Sequence, residues 1–135
     1  MARYVVDAAV ALQLVREGIE VSAEHELLAP TLLRSQVLSI LHESVHRGEL
    51  QDAAALDVLA RVGKLKLRLL GDGVLRRTAW KYADQLGWAS TYDAEYVALT
   101  KLQADALVTL DEDLARSVEG VVPTASIDDL RRPSR

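Results

Sequence analysis

The sequence predicts an α/β domain with a central parallel sheet of about four or five short strands and helices on both faces. Three observations carry this. Strand-like apolar segments alternate with segments of helical period along the whole chain. The length, 135 residues, is that of one domain. The composition, half hydrophobic with 7 Gly and 3 Pro, is that of a packed globular chain without internal repeats or linkers.

Each element has a local reason. Arg3–Val6 is β-branched and aromatic with no turn residue, and predicts a strand. Asp7 follows it and can cap a helix over Ala8–Arg16 that Gly18 ends. Glu26–Ala29 reads as a second strand. Thr31 is placed to cap a long helix to about Arg47, with Leu33, Val37, Ile40, Leu41 and Val45 as its apolar stripe and Gly48 as its stop. Asp52–Val62 predicts a further helix. Leu65–Leu70 alternates Leu with Lys and Arg, the pattern of a strand with one wet face. Val74–Leu86 and Asp93–Gln103 read as helices, Ala106–Leu110 as a strand, Asp111–Ser117 as a short helix and Gly120–Pro123 as a last edge strand. The domain is expected over residues 1–130, with the basic segment Arg131–Arg135 as a frayed tail.

Several function classes are excluded. The chain has no Cys, which removes disulfides, thiolate zinc and a thiol nucleophile. No apolar run is long enough for a membrane span, and the N-terminus lacks the pattern of a signal peptide, so a cytoplasmic protein is expected. The net charge of −4 argues against gripping nucleic acid by bulk positive charge, so any such contact is local or metal-borne. With no Phe and few other aromatics, a stacking platform for single strands is not expected.

In parallel sheets ligands bind beyond the carboxyl ends of the strands, near the switch in strand order. Two predicted strands run into Asp there: Asp7 after Tyr4-Val5-Val6, and Asp111 after Leu107-Val108-Thr109-Leu110. A third acid, Asp93, opens a helix. If these carboxylates converge, they repel one another unless a cation neutralises them. Mg²⁺ or Mn²⁺ suits such oxygen ligands and supports hydrolysis of a phosphodiester. The alternative is that each Asp is only a helix cap.

Four segments resemble the PIN-domain family, and within it the VapC-like toxin ribonucleases of toxin–antitoxin systems. They are Val5-Val6-Asp7-Ala8-Ala9-Val10-Ala11-Leu12, Leu28-Ala29-Pro30-Thr31-Leu32-Leu33-Arg34-Ser35-Gln36-Val37-Leu38, Ser90-Thr91-Tyr92-Asp93-Ala94-Glu95-Tyr96-Val97-Ala98-Leu99 and Leu107-Val108-Thr109-Leu110-Asp111-Glu112-Asp113-Leu114. They are in order and together span nearly the whole chain. The resemblance implies a PIN-like three-layer sandwich and a ribonuclease dependent on Mg²⁺ or Mn²⁺. It implies Asp7, Asp93 and Asp111 as metal ligands, Asp113 as an additional acid and Thr109 as a hydrogen-bonding partner within the acidic cluster. It also implies a homodimer, an RNA substrate and inhibition by a VapB-like antitoxin.

One position departs from the family: Gln36 stands where Glu is expected. An amide oxygen still accepts a hydrogen bond, but one negative charge is lost. Metal affinity is expected to fall by about 10–100-fold. The alternative function is therefore an attenuated PIN-fold binding module. Glu43, seven residues on, lies on about the same helical face but about 10 Å away, too far to take the place of residue 36 without rearrangement.

Other motifs have plainer readings. His42-Glu43-Ser44-Val45-His46 matches a helical zinc motif, but His25 is the only other His and lies upstream, so a solvated helix face is favoured. Lys64, Lys66, Arg68, Arg76, Arg77 and Lys81 could touch RNA phosphates, although alternating Lys on an edge strand also guards against aggregation. Leu12, Leu14, Val15, Leu38 and Leu41 could form a partner surface, although such stripes are mostly core.

Overall fold

A computed structural model describes residues 2–131. The chain runs β1 (Ala2–Val6), α1 (Ala8–Arg16), β2 (His25–Pro30), α2 (Leu32–His46), α3 (Asp52–Gly63), β3 (Leu67–Leu70), α4 (Gly73–Leu86), α5 (Tyr92–Gln103), β4 (Ala106–Val108), α6 (Glu112–Ser117) and β5 (Thr124–Ala125), then a 3₁₀ turn at Ile127–Leu130. The strands form one sheet in the order β3-β2-β1-β4-β5, and every neighbouring pair is parallel.

This order places the site. From β1 the chain crosses to β2 and β3 on one side, then returns through α4 and α5 to β4 on the other. The switch in strand order therefore lies between β1 and β4, whose registers pair Val5 with Leu107 and Val6 with Val108. Asp7 and Asp111 follow these adjacent strands.

The side-chain period of two explains the layers. Val5, Leu28 and Leu107 point to one face, with buried residues of α2, α3, α4 and α5. Val6, Leu27 and Val108 point to the other, where Val10 and Leu14 of α1 meet Leu130. β4 is only three residues long and wholly buried, as expected of a central parallel strand. Helix α5 packs on β1, β2 and β4, and its run Tyr96–Thr100 is entirely buried.

Several boundaries differ from the sequence-based expectation. The last strand is Thr124–Ala125, not Gly120–Pro123. Gly120 takes a left-handed φ of 80°, and Pro123 has no N–H for a ladder, so the segment is a turn. Pro123 still contributes its carbonyl, which accepts from Leu107 N at 2.9 Å. β3 begins at Leu67 rather than Leu65 and is the edge strand its Lys/Arg alternation suggested, with Arg68 reaching Glu26 at 3.6 Å. Asp93 does not cap α5. The cap is Thr91, and Asp93 lies in the first turn. Of the tail, Arg131 bridges to Val21, and residues 132–135 lie outside the described residues. Of the apolar positions proposed for a partner, Leu12, Leu14, Val15 and Leu41 are core, whereas Leu38 is 55% exposed. Among the described residues no helix is long and apolar enough to cross a membrane.

Candidate active site

The chain leaves β1 at Val6 and turns directly into α1, and Asp7 makes that turn. Its extended backbone lets Oδ1 accept from Val10 N at 2.9 Å, capping the helix. Its Oδ2 accepts from the Thr109 hydroxyl at 2.6 Å. Thr109 lies just beyond β4, and its Oγ1 accepts in turn from Asp111 N at 3.1 Å. Asp111 caps α6, with Oδ1 accepting from Asp113 N at 2.9 Å and Leu114 N at 3.1 Å. Thr109 thus ties one strand-end carboxylate to the turn that carries the other. Asp7 and Asp111 are helix caps and cavity residues at once, so the two readings of them are not exclusive.

The third acid comes from the first turn of α5. Asp7, Asp93 and Asp111 line one cavity of about 370 Å³ together with Gln36, Glu43 and Tyr96. Their electrostatics agree with that proximity. Burial pushes the Asp7 carboxyl above its ordinary value, the hydrogen bonds from Thr109 and Val10 oppose this, and the Asp111 charge adds to the rise. Burial also raises Asp93, helped by the charges of Asp111 and Asp7. These are carboxylates held against mutual repulsion.

Two predicted site residues behave differently. Asp113 is not brought to the cavity. Its side chain is 87% exposed and pairs with Arg116. It sits two positions from Asp111, where a helix turns its side chain to another face. Gln36 is at the cavity, but its oxygen is engaged: Oε1 accepts from the Tyr96 hydroxyl at 2.5 Å.

Tyr96, Ser39 and Glu43 were not in the expected set. Tyr96 stands three residues after Asp93 on α5, a spacing that shares a helix face and could have been read from the sequence. Its phenol is pushed above its ordinary pKa, first by burial, then by Asp7, Glu95 and Asp93. Glu43 does not occupy the place of residue 36, but it reaches the same cavity, where Oε2 accepts from the Ser39 hydroxyl at 2.7 Å. His42 and His46 are exposed on α2, and His25 opens β2 edge-on to Tyr4, ring centroids 5.0 Å apart.

Among the described residues, no three of His, Cys, Asp and Glu stand close enough to enclose a metal ion. A closed cage of the structural zinc type therefore does not fit. The donor chemistry does fit a hydrated hard cation, because Mg²⁺ keeps several waters and needs only one or two carboxylates. Asp7, Asp93 and Asp111 are oxygen donors on an open cavity, and a cation there would relieve their repulsion.

The fold is shared with solved structures. PAE2754 from Pyrobaculum aerophilum aligns with a TM-score of 0.74 at 23% identity, over 96% of this chain and 92% of that one. VapBC-1 from nontypeable Haemophilus influenzae aligns at 0.64 and 11% identity, over 93% and 98% of the two chains. VapBC2 from Rickettsia felis, in a structure described as bound to a DNA fragment from their promoter, aligns at 0.62 and 9% identity, over 92% and 98%. No protein-family model and no curated protein sequence matches the chain. At these identities the likeness defines a fold, and that fold is the PIN-like, VapC-like three-layer sandwich the sequence motifs implied.

Proposed function

We propose that the protein is a metal-dependent ribonuclease of the VapC-like kind, hydrolysing RNA phosphodiester bonds with Mg²⁺ or Mn²⁺. The observation that carries this reading is the convergence of Asp7, Asp93 and Asp111 on one cavity at the carboxyl edge of the sheet, where the strand order switches. Those three carboxylates are the residues that would hold the ion, either directly or through the waters it keeps. When bound, the ion supplies a more acidic water and stabilises charge on the phosphoryl oxygens. The chain's own groups do the rest. Thr109 fixes the Asp7 carboxylate and the Asp111 turn relative to each other, and the α1 and α6 caps hold both rigid. Water oxygen bonds to phosphorus as the bond to the 3′ oxygen breaks, and the products are a 3′-hydroxyl and a 5′-phosphate.

Partners follow from the same reading. A homodimer and a VapB-like antitoxin are proposed. A groove between α1 and α2 supports an inhibitory segment, because Ala9 and Ile40 line both it and the carboxylate cavity. A polypeptide lying there would lie beside the site.

The test is cleavage of total RNA by purified protein free of any antitoxin, with Mn²⁺, with Mg²⁺ and with EDTA, beside Asp93→Asn. Cleavage that needs the metal and disappears in Asp93→Asn is expected, whereas a fully active Asp93→Asn protein sinks the proposal. A second reading, an attenuated binding module, is favoured by the neutral Gln36 at the cavity. Its signature is little cleavage by the natural chain and a clear gain in Gln36→Glu.

A further inference from the structure

We infer that Gln36 serves as a hydrogen-bond donor to the RNA backbone, its amide turned nitrogen-outward by Tyr96. This rests on the ribonuclease reading and adds to it a residue that touches substrate rather than metal.

Tyr96 is 2% exposed and its hydroxyl has one proton, which it gives to Gln36 Oε1. Burial first, then the charges of Asp7, Glu95 and Asp93, disfavours loss of that proton, so the phenol stays a donor. A planar amide carries its oxygen and nitrogen on opposite sides of one carbon. With the oxygen tied to α5, the two N–H groups are the end left for the cavity.

The cavity is otherwise a field of acceptors. The Asp7, Asp93 and Asp111 carboxylates accept, the Ser39 proton is committed to Glu43, and the Tyr96 proton is committed to Gln36 itself. Among the side chains that line it, Gln36 alone has uncommitted donors. A phosphodiester entering an anionic cavity needs a donor for its non-bridging oxygens. A Glu at this position would take the same phenol proton on one oxygen and present a second, negatively charged oxygen to the phosphate. The exchange of Glu for Gln therefore changes the job of the residue from metal-side acceptor to phosphate-side donor. Tyr96 is a positioning residue that acts through it.

The experiment uses the full chain and two probes. Binding of a fluorescein-labelled oligouridylate is followed by anisotropy with Ca²⁺ as the hard-oxygen cation, and MnCl₂ binding by calorimetry. Gln36→Leu is expected to weaken RNA binding about tenfold and to leave Mn²⁺ affinity within about twofold. The isosteric Gln36→Glu, a variant that keeps the Tyr96 contact, is expected to weaken RNA binding and tighten Mn²⁺ binding. Tyr96→Phe should weaken RNA binding less than Gln36→Leu, and adding it to Gln36→Leu should cost nothing more, because one acts through the other. Unchanged RNA binding in Gln36→Leu overturns the inference, as does a loss confined to Mn²⁺. A natural chain that binds neither RNA nor Mn²⁺ overturns the ribonuclease reading as well. A chain that binds and cuts RNA but ignores Gln36→Leu overturns this inference alone.

Discussion

Asp7 is the residue on which fold and chemistry compete. It caps α1 and accepts from Thr109, yet burial raises its pKa and Asp111 adds to the rise. A carboxyl whose pKa is raised by folding favours the folded state most when protonated. Its contribution is full below the unfolded value near 3.8 and is lost as pH rises through the folded value. Near neutral pH, without metal, ionised Asp7 therefore strains the fold. Asp7→Asn keeps a cap oxygen for Val10 N and removes the charge. In EDTA at pH 7 its Tm should exceed that of the natural chain by a few degrees, and the gap should close on acidification toward pH 4. A lower Tm at pH 7 would show that the hydrogen bond from Thr109 outweighs the burial of charge. The sequence pointed to Asp7 and Asp111 because an acid at the end of an apolar strand is visible locally. It did not point to the pairing of Gln36 with Tyr96, because the two are 60 residues apart and meet only when α5 lies across the sheet. Helix phase sets Asp113 apart from the other acids: two residues from a capping Asp, its side chain is outside the cavity lining and pairs with Arg116.

At the scale of elements, capping separates the residues that only hold the fold from those that also line the site. Asp72 caps α4 with Oδ1 accepting from Leu75 N at 2.8 Å, and Asp111 caps α6 in the same way. Asp72 does not line the carboxylate cavity. Asp72→Ala should cost about 1 kcal/mol of stability while leaving metal-dependent cleavage at the natural rate, measured well below the Tm. Asp111→Asn should do the reverse, keeping the cap oxygen and losing cleavage. A large loss of cleavage in Asp72→Ala would mean that α4, which packs on α5, positions Asp93 through that contact. The existence and type of the elements were legible because period and caps are local signals. Their ends were less so. β5 lies just beyond Pro123 because strand pairing with β4, a contact remote in sequence, sets where the ladder begins.

For the molecule as a whole, the strand order gathers the charge. β1 and β4 are distant in sequence but adjacent in the sheet, and α5 crosses both, so three acids from separate parts of the chain meet at one edge. Sequence suggested this convergence through the α/β pattern, the rule that ligands sit at the switch point, and the resemblance of the four segments to the PIN-domain family. That no three of His, Cys, Asp and Glu among the described residues group to enclose an ion was beyond it. The arrangement makes a coupled prediction about stability and metal. The charged form of Asp93 is disfavoured first by burial, then by Asp111 and Asp7, so removing its charge should raise the Tm in EDTA near neutral pH. If the site holds a divalent ion in the folded state only, Mn²⁺ at about 100-fold over its dissociation constant should stabilise the natural chain by about 2.7 kcal/mol. Asp93→Asn, lacking one ligand, should gain much less. The two melting curves must then cross: the variant is the more stable in EDTA and the natural chain the more stable in Mn²⁺. A natural chain whose Tm does not respond to Mn²⁺ would mean that the acids carry their repulsion for some purpose other than holding a cation. A variant that responds as strongly as the natural chain would place the ion on Asp7 and Asp111 alone, the pair that Thr109 already links.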